Sequence, residues 1–418
     1  MEILYIEGGK KLNGEVGIAT AKNSLLPIMA GSIISGKKVI IDKVAKFSDV
    51  MQMSKILESL GVIVEFENDT MIIDSSDCNK YAIKEEYTKK VRSSIFMLGP
   101  MLSRFGKARV AYPGGCNIGN RPIDLHIKGL KSLNVKIEER HGYIYCDGRN
   151  MKGGEVHLDF PSVGATENLM MASVKIKGVT TIHNCAREPE IVDLQSFLNS
   201  MGAKVYGAGS STIYVEGVDS FCDTEYTPMK DRIIAGTYMI ACAMCGGEIS
   251  LSGGKKEHNQ AVINKLINLG VHINESKGYI EIKSSGRLKN IPLIETQPYP
   301  GFPTDLQNQI LAMQTIGRGT SVINENLFES RFKICNELNK MGADITLKDR
   351  MAIIKGVSRL YGANVTASDL RCGAGLVLAG LVADGYTTIQ DVYHIDRGYL
   401  SIEEDFCKLG AEIKRLNK

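Results

Sequence analysis

A glycine-rich segment of the sequence combines a thiol with a cation. Residues 112–125 read YPGGCNIGNRPIDL and contain three glycines, Cys116 and, five residues later, Arg121. Such glycine clusters favour a loop. Positive charge near a thiol favours the thiolate, which acts as a nucleophile or carries a proton near neutral pH. We therefore predict that Cys116 is a catalytic residue, with a loop cysteine of no chemical role as the alternative.

Charged residues recur at the starts of predicted helices. These residues are Lys22, Arg92, Asp231, Asp305, Asp369 and Arg371. Helix N-termini attract anions, and they also accept aspartate caps worth about 1 kcal/mol each. The three aspartates therefore fit either a cap or a chemical role. Lys22 and Arg92 fit a cap poorly because a cation opposes the helix dipole, which predicts that an anion lies between them.

The remaining chemical signals indicate packing. Cys242 and Cys245 form a single CxxC inside a predicted helix, without the second ligand pair that a zinc site needs. The seven histidines show neither HxxxH nor HExxH spacing, so we predict no metal site. His394, close to Arg397 in YHIDRG, is predicted to organise a turn. No Walker sequence or complete dinucleotide fingerprint is present, so we predict no cofactor.

Composition argues against several classes of function. The net charge of +3 and the pI of about 8.2 are too mild to indicate nucleic-acid binding. The apolar runs are too short for a membrane span, and Glu2, Glu7 and Glu15 interrupt any signal-peptide pattern. The ten cysteines are expected to be reduced thiols. The sequence therefore predicts a cytoplasmic protein without nucleic-acid or membrane partners.

A repeated unit supplies the elements that position these residues. A helix ending in Leu-Gly or a similar pair, followed by a short alternating strand, occurs six times. The third residue of this signature is Gly61, Asn134, Gly202, Gly270, Gly342 and Gly410, so the copies lie 68 to 73 residues apart. Each copy begins with a helix of small and apolar residues, the last of them over residues 370–382, and a β-branched strand follows. This alternation predicts an α/β fold of βαβ units.

The last copy lacks its final hairpin strand. Residues 3–9, ILYIEGG, have the missing pattern, so we expect the N-terminal strand to complete the C-terminal repeat. This predicts one three-repeat domain over residues 22–229 and a second over residues 1–21 plus 230–418. The two chain crossings, near Lys22 and Met229, would form a hinge.

The whole chain resembles the UDP-N-acetylglucosamine enolpyruvyl transferases. The matching segments are AKN at 21–23, RSSIFMLGP at 92–100, PGGCNIGNRPIDLH at 113–126, SVGAT at 162–166, AREPEIVD at 186–193, GFPTDLQ at 301–307, FESRF at 328–332 and YHIDRG at 393–398. The resemblance implies two inside-out α/β barrel domains, each of three repeats about a pseudo-threefold axis. It also implies transfer of the enolpyruvyl group of phosphoenolpyruvate to the 3-hydroxyl of UDP-N-acetylglucosamine, the first committed step of peptidoglycan synthesis, without a cofactor.

The same resemblance implies roles for individual residues. The catalytic pair would be Cys116, the proton donor and the target of fosfomycin, and Asp305, the base for the sugar hydroxyl. The phosphoenolpyruvate residues would be Lys22, Asn23, Arg121, Arg371 and Arg397. The UDP-sugar residues would be Arg92, Arg121, Pro122, Ile123, Asp124, Leu125, Ser162, Val163, Asp305 and Leu327. Asp231 and Asp369 would support the site.

Two other functions also use repeated α/β units, and the sequence departs from the family pattern at two places. The shikimate-pathway enolpyruvyl transferase shares the fold, but the cysteine loop and the SVGAT and AREPEIVD segments favour the nucleotide-sugar family. A DNA sliding clamp also repeats α/β units but would spread Lys and Arg over one helix face in every copy. The departures are Ala19-Thr20 before AKN and CGAG after Arg371. Neither replaces a charged group, so we expect activity to be retained.

Overall fold

The computed structural model describes residues 2–114 and 123–417. Its α-helices are α1 (Lys22–Gly31), α2 (Ser48–Ser59), α3 (Glu85–Thr88), α4 (Leu98–Phe105), α5 (Asp124–Ser132), α6 (Val163–Ser173), α7 (Pro189–Ser200), α8 (Arg232–Cys245), α9 (Gln260–Asn268), α10 (Gln307–Ile316), α11 (Ile334–Lys340), α12 (Leu370–Val382) and α13 (Ile402–Lys408). Its β-strands are β1 (Glu2–Glu7), β2 (Leu12–Gly17), β3 (Lys38–Ile41), β4 (Ile63–Glu67), β5 (Thr70–Asp74), β6 (Lys107–Ala111), β7 (Lys136–Arg140), β8 (Tyr143–Asp147), β9 (Glu155–His157), β10 (Val179–His183), β11 (Lys204–Tyr206), β12 (Thr212–Glu216), β13 (Thr224–Tyr226), β14 (Gly247–Ser252), β15 (His272–Ser276), β16 (Tyr279–Ser284), β17 (Leu293–Glu295), β18 (Thr320–Asn324), β19 (Asp344–Lys348), β20 (Met351–Lys355), β21 (Asn364–Thr366), β22 (Tyr386–Gln390) and β23 (Glu412–Asn417). Short 3₁₀ turns lie at Ser32–Ile34, Arg92–Met97, Lys256–Asn259, Thr304–Leu306, Arg331–Lys333 and Val392–Arg397.

The described residues divide into two compact units. The first comprises residues 20–114 and 123–229, and the second comprises residues 2–19 and 230–417. The first unit holds the sheets β13-β3-β5-β4, β6-β8-β7 and β11-β12-β10-β9, and the second holds the sheets β15-β16-β14-β2, β17-β18-β20-β19 and β21-β22-β1-β23. Each unit therefore contains three small sheets, one for each repeat.

One copy shows the path of the chain through a repeat. Strand β9 leads into α6, and β10 returns parallel to β9. Helix α7 and the hairpin β11-β12 follow, and β12 pairs antiparallel with β10. This order of elements confirms the predicted α/β fold built from βαβ repeats.

The first helix of each repeat lies inside its unit. Helix α6 is buried from Ala165 to Ser173, and α12 is buried from Leu370 to Leu381. A helix that is apolar on all sides is stable only when protein surrounds it. The strands instead alternate buried and more exposed residues, as in β10 and β22. Both units thus have the predicted inside-out arrangement, and none of the described helices is both long and apolar enough to cross a membrane.

Glycines allow these inner helices to approach closely. A Cβ atom at Gly375 in α12 would lie 2.9 Å from the carbonyl oxygen of Asn308 in α10. A Cβ atom at Gly99 in α4 would lie 2.4 Å from the carbonyl oxygen of Asn168 in α6. Both separations are too short for a methyl group in a close-packed interior. This requirement for glycine explains part of the CGAG segment that departs from the family pattern.

The N-terminal strand belongs to the last sheet. Strand β1 lies between β22 and β23 and pairs antiparallel with both, so that Ile6 is opposite Thr387 on one side and Ile413 on the other. Leu4 and Ile6 are fully buried. Strand β2 pairs parallel with β14, and β13 pairs parallel with β3. In each unit, one parallel strand therefore comes from a distant part of the chain.

Candidate active site

Asp305 lies between two arginine side chains. It belongs to the 3₁₀ turn Thr304–Leu306, which leads into α10. Its Oδ1 accepts a hydrogen bond from Arg331 at 2.6 Å, and its Oδ2 accepts one from Arg371 at 2.8 Å. The arginine side chains are 3% and 6% exposed, whereas that of Asp305 is 25% exposed. Buried cations thus orient a carboxylate that still reaches solvent.

The first turn of α12 positions Arg371. Asp369 caps this helix, because its Oδ1 accepts the backbone N–H groups of Arg371 and Cys372 at 2.9 and 3.1 Å. Burial alone would lower the pKa of Arg371, but the negative charge of Asp305 and of groups beyond it outweighs burial, so the pKa is raised. Arg371 therefore stays cationic and can bind an anion that takes the place of Asp305.

Two of the three aspartates at helix starts are caps. Asp231 accepts two N–H groups from the first turn of α8 at 2.8 and 3.0 Å, as Asp369 does in α12. Within the described residues, the Asp305 side chain caps no helix, and Pro303 occupies the N-cap position of its turn. The cap alternative is therefore correct for Asp231 and Asp369 and wrong for Asp305.

Leu327 lies in a loop that the buried carboxylate of Glu325 organises. Glu325 Oε1 accepts the N–H groups of Leu327 and Phe328 at 2.9 and 3.1 Å. Its Oε2 accepts the hydroxyl of Thr304 at 2.9 Å, and Arg331 Nε donates to the same hydroxyl at 3.3 Å. One hydrogen-bond network therefore joins the Leu327 loop to the arginine that holds Asp305.

Arg397 ends the 3₁₀ turn Val392–Arg397 and is half-buried. This turn packs on the start of α12, since a Cβ atom at Gly398 would lie 2.7 Å from the Leu370 side chain. The pKa of His394 is lowered by burial and then by the charge of Arg397, with Asp369 opposing both. The structure thus brings Arg397 near the end of α12 that carries Arg371.

Lys22 begins α1 and pairs with a carboxylate in the first unit. Its Nζ lies 3.1 Å from Oδ2 of Asp49, in the first turn of α2. The two side chains are only 10% and 6% exposed. The anion that the sequence predicts beside Lys22 is therefore supplied in part by the protein itself. Asn23, the next residue of α1, is half-buried.

The predicted UDP-sugar residues of the first unit lie at two helix starts. Ser162 caps α6 by accepting the N–H of Ala165 at 3.3 Å, and Val163 is the first residue of that helix. Helix α5 begins at Asp124, which is exposed, directly after Ile123, which is buried. Leu125 follows in the same turn and is half-buried.

The starts of α5 and α6 contact each other and the 3₁₀ turn Arg92–Met97. His126 in α5 is bonded through Nδ1 to the side-chain amide of Asn168 in α6 at 2.8 Å. A Cβ atom at Gly164 would lie 3.1 Å from His126 and 3.2 Å from Phe96. Phe96 belongs to the 3₁₀ turn that Arg92 begins. The structure therefore brings the 3₁₀ turn that begins at Arg92 close to the first turns of α5 and α6.

Three of the predicted site residues lie in the segment that the structure does not describe. Cys116, Arg121 and Pro122 lie outside the described residues, so their roles remain predictions from the sequence.

Sequence reasoning missed the charged partners of the site residues. Arg331 lies in the matched FESRF segment, and Asp49 lies in the first turn of a helix. Both are separated by more than twenty residues from the side chains they contact. The weak signal that was available is the position of each charge at the start of a helical turn.

The two cysteines of the CxxC pair, Cys242 and Cys245, belong to α8. Cys242 is fully buried, and its thiol donates weakly to the carbonyl oxygen of Ile282 at 3.8 Å. Burial raises the pKa of Cys242 to about 12. Cys242 and Cys245 are both free thiols. Their environment is that of small buried side chains and not of reactive thiolates.

Comparison with known proteins identifies the family. The family described as EPSP synthase (3-phosphoshikimate 1-carboxyvinyltransferase) matches residues 6–406. UDP-N-acetylglucosamine 1-carboxyvinyltransferase 2 of Caldanaerobacter subterraneus subsp. tengcongensis is 48% identical over 411 residues, which cover 98% of this chain and 99% of the relative. The chain belongs to the UDP-N-acetylglucosamine 1-carboxyvinyltransferase family. A further member, UDP-N-acetylglucosamine 1-carboxyvinyltransferase 1 of Clostridium perfringens, is 46% identical over the full length of both proteins.

Solved structures with much lower sequence identity share the fold. The enolpyruvyl transferase NikO from Streptomyces tendae is 21% identical and superimposes with a TM-score of 0.89 over 100% of this chain and 99% of its own. EPSP synthase from Acinetobacter baumannii is 18% identical, with a TM-score of 0.75 over the full length of both chains. These structures extend the two-domain α/β fold of the family to more distant enolpyruvyl transferases.

Proposed function

We propose that this protein transfers the enolpyruvyl group of phosphoenolpyruvate to the 3-hydroxyl of UDP-N-acetylglucosamine and releases phosphate. Sequence identity of 46–48% to relatives named for this reaction, over essentially the whole chain, carries the proposal. The reaction is the first committed step of peptidoglycan synthesis, which serves cell-wall growth, cell shape and cell division. We place it in the cytoplasm, as the sequence predicts.

Asp305 is proposed as the base that accepts the proton of the sugar hydroxyl. Each of its oxygens accepts a hydrogen bond from one arginine. The two arginines fix the direction of a carboxylate that still reaches solvent. A phosphoenolpyruvate anion that binds Arg371 would compete with Oδ2 of Asp305 for the guanidinium.

Lys22, Asn23, Arg121, Arg371 and Arg397 are proposed to bind phosphoenolpyruvate. This substrate carries about three negative charges, so several cations are needed to hold it beside a nucleotide diphosphate. Arginine binds phosphate and carboxylate groups through two parallel hydrogen bonds, which fixes the anion in one orientation. The ion pair with Asp49 fixes the ammonium of Lys22 at the start of α1. Asp231 and Asp369 support the site as helix caps.

The UDP-sugar is proposed to bind the helix starts of the first unit together with the Leu327 loop. The binding residues are Arg92, Arg121, Pro122, Ile123, Asp124, Leu125, Ser162, Val163, Asp305 and Leu327. Clustered helix N-termini suit a diphosphate because their free N–H groups and positive dipole ends attract anions. The packing of the first turns of α5 and α6 supports this assignment.

Cys116 is proposed to donate the proton to carbon 3 of phosphoenolpyruvate and to be the residue that fosfomycin alkylates. A donor to carbon 3 and a base for the hydroxyl complete the addition, and loss of phosphate with return of the proton completes the elimination. All of these steps use protein side chains, so no cofactor is required. The domains are proposed to span residues 22–229 and residues 1–21 plus 230–418.

A phosphate-release assay tests the reaction. Release is expected with phosphoenolpyruvate and UDP-N-acetylglucosamine, and it should stop when either is omitted. 3-Phosphoshikimate as the acceptor should give no release above background. Release with 3-phosphoshikimate but not with UDP-N-acetylglucosamine would replace the proposal with the shikimate-pathway reaction.

A further inference from the structure

Two histidines and a glutamate come together at the edge of one sheet in the first unit. His157 in β9 lies opposite His183 in β10, and Glu155 lies two residues before His157 on the same face of β9. The imidazole rings stack with centroids 4.4 Å apart and planes inclined by 11°. Nε2 of each histidine lies 3.6 Å from Oε2 of Glu155. The proposed transfer reaction uses none of these three residues.

The distances in this cluster fit the coordination sphere of a metal ion. One ligand atom from each of the three residues lies within 4.8 Å of the other two. Two ligand atoms bound tetrahedrally at about 2.0–2.2 Å from zinc lie about 3.3–3.6 Å apart, close to the 3.6 Å that separates Oε2 of Glu155 from each Nε2. The separations of the ligand atoms therefore suit a metal ion, whereas the orientation of the rings would have to change.

One ring nitrogen gives an independent indication of a ligand. Nε2 of His183 is shielded from solvent and has no hydrogen-bond partner among the residues that the structure describes. Buried polar atoms are nearly always satisfied, and one that is not calls for an explanation. A cation held between the imidazoles and the carboxylate of Glu155 would satisfy this nitrogen.

We propose that Glu155, His157 and His183 bind a divalent late transition-metal ion, with Zn²⁺ as the cellular candidate. Two imidazoles and one carboxylate suit this class of ion and leave a fourth position for water. The stacked rings direct their nitrogen lone pairs side by side, so binding requires at least one ring to rotate and the stacking to be lost. Strand β9 is a three-residue edge strand. The bound ion would therefore tie this edge strand to β10.

Titration of the full-length protein with Co²⁺ tests the proposal. Co²⁺ held by nitrogen and oxygen ligands shows visible d–d absorption, whereas thiolate ligands add charge-transfer absorption in the near ultraviolet. The protein should bind one equivalent without the thiolate signal. His157→Ala and His183→Ala should each lower the affinity about tenfold or more, because even residues that only support metal ligands are worth about 10- to 100-fold. Glu155→Gln should have a smaller effect.

A matched control and a second readout complete the test. His272→Ala removes an exposed histidine of β15, which lies opposite Lys283 of β16 in a sheet of the second unit. This variant should leave the Co²⁺ affinity unchanged. Zn²⁺ should displace Co²⁺ and raise the melting temperature of the protein but not that of the double variant His157→Ala/His183→Ala. Circular dichroism without metal verifies that the variants fold. Equal Co²⁺ affinity in the protein and the double variant, or a thiolate signal alone, would overturn the proposal.

Discussion

The guanidinium of Arg371 lies 2.8 Å from Oδ2 of Asp305, although the two residues are 66 positions apart in the sequence. Arg331 holds the other oxygen at 2.6 Å. An anion that binds Arg371 would compete with Oδ2 of Asp305 for the guanidinium, while Arg331 would still hold Oδ1. The contact therefore couples the arginine proposed to bind phosphoenolpyruvate to the carboxylate proposed as the base.

Asp305→Asn is expected to reduce kcat by about 10²- to 10⁴-fold, the usual contribution of a general base. The amide carries no charge to offset two buried arginines, so the variant should also lose about 1–3 kcal/mol of stability. Phosphate release and thermal unfolding measure the two effects. The control is Asp384→Asn, which breaks an exposed pair with Arg359 and should change neither quantity. Full activity in a stable Asp305→Asn protein would remove Asp305 from the mechanism.

Asp49→Asn tests whether the buried ion pair positions Lys22 for the substrate. Without the charge of Asp49 the ammonium is less firmly held, so KM for phosphoenolpyruvate should rise by about tenfold, equivalent to about 1.4 kcal/mol. Asp49→Glu keeps the charge and should recover most of the affinity. Steady-state kinetics with saturating UDP-sugar provide the measurement. Glu85→Gln breaks the exposed pair with Lys89 and serves as the control, and an unchanged KM in Asp49→Asn would argue against a positioning role.

The architecture could be predicted from the sequence because each repeat contains the same local signals. The helix predicted over residues 370–382 begins at Leu370 and ends at Val382. This helix, α12, is apolar on all sides and has glycines where α10 comes close. Both features suit a helix that is surrounded by protein inside the unit. Local composition therefore carries most of the information about which helices are buried.

The contacts within the candidate site could not be predicted in the same way. An aspartate at a helix start has the same sequence signal whether its carboxylate caps the helix, as that of Asp369 does, or is held by two arginines without capping, as that of Asp305 is. The direction of the side chain decides between the two, and it depends on which distant turn packs nearby. Arg331 and Asp49 were missed for this reason.

Cys116→Ser is expected to lose most activity at neutral pH, because a hydroxyl is a far weaker acid than a thiol. Cys116→Asp should keep part of the activity and resist fosfomycin, since a carboxyl group carries a proton but reacts poorly with an epoxide. Phosphate release and time-dependent inactivation measure these effects. Cys222→Ser and Cys407→Ser remove exposed thiols and should remain active and sensitive. An active Cys116→Ser variant would exclude Cys116 as the proton donor.

Gly375→Ala is expected to destabilise the second unit by about 1–3 kcal/mol, the usual cost of overpacking a core. The added methyl group would lie 2.6 Å from the Ile334 side chain and 2.9 Å from the carbonyl oxygen of Asn308, which is backbone and cannot easily move. Denaturant unfolding measures the change. Gly17→Ala, where the nearest atom is the Ser252 hydroxyl at 3.4 Å, is the matched control and should be tolerated. Equal stability of both variants would show that the helices can separate at little cost.

Glu167 is a fully buried carboxyl group in α6 whose two oxygens have no hydrogen-bond partner among the described residues. Burial raises its pKa well above 4.5, and the charges of Glu190 and Glu188 raise it further. In the unfolded chain the group ionises from about pH 4.5 upward, whereas in the folded protein it ionises only at a higher pH. Rising pH therefore favours the unfolded state, and stability is lost between the two pKa values.

Glu167→Gln removes this loss because the amide stays neutral at every pH. The melting temperature of the variant relative to the unmodified protein should therefore increase as the pH is raised above about 4.5, with the smallest difference at the acid end. Differential scanning calorimetry as a function of pH provides the measurement. Glu65→Gln, at an exposed position of β4, should show no such trend. If the melting-temperature difference between Glu167→Gln and the unmodified protein did not depend on pH, Glu167 would have the same pKa in the folded and unfolded chains.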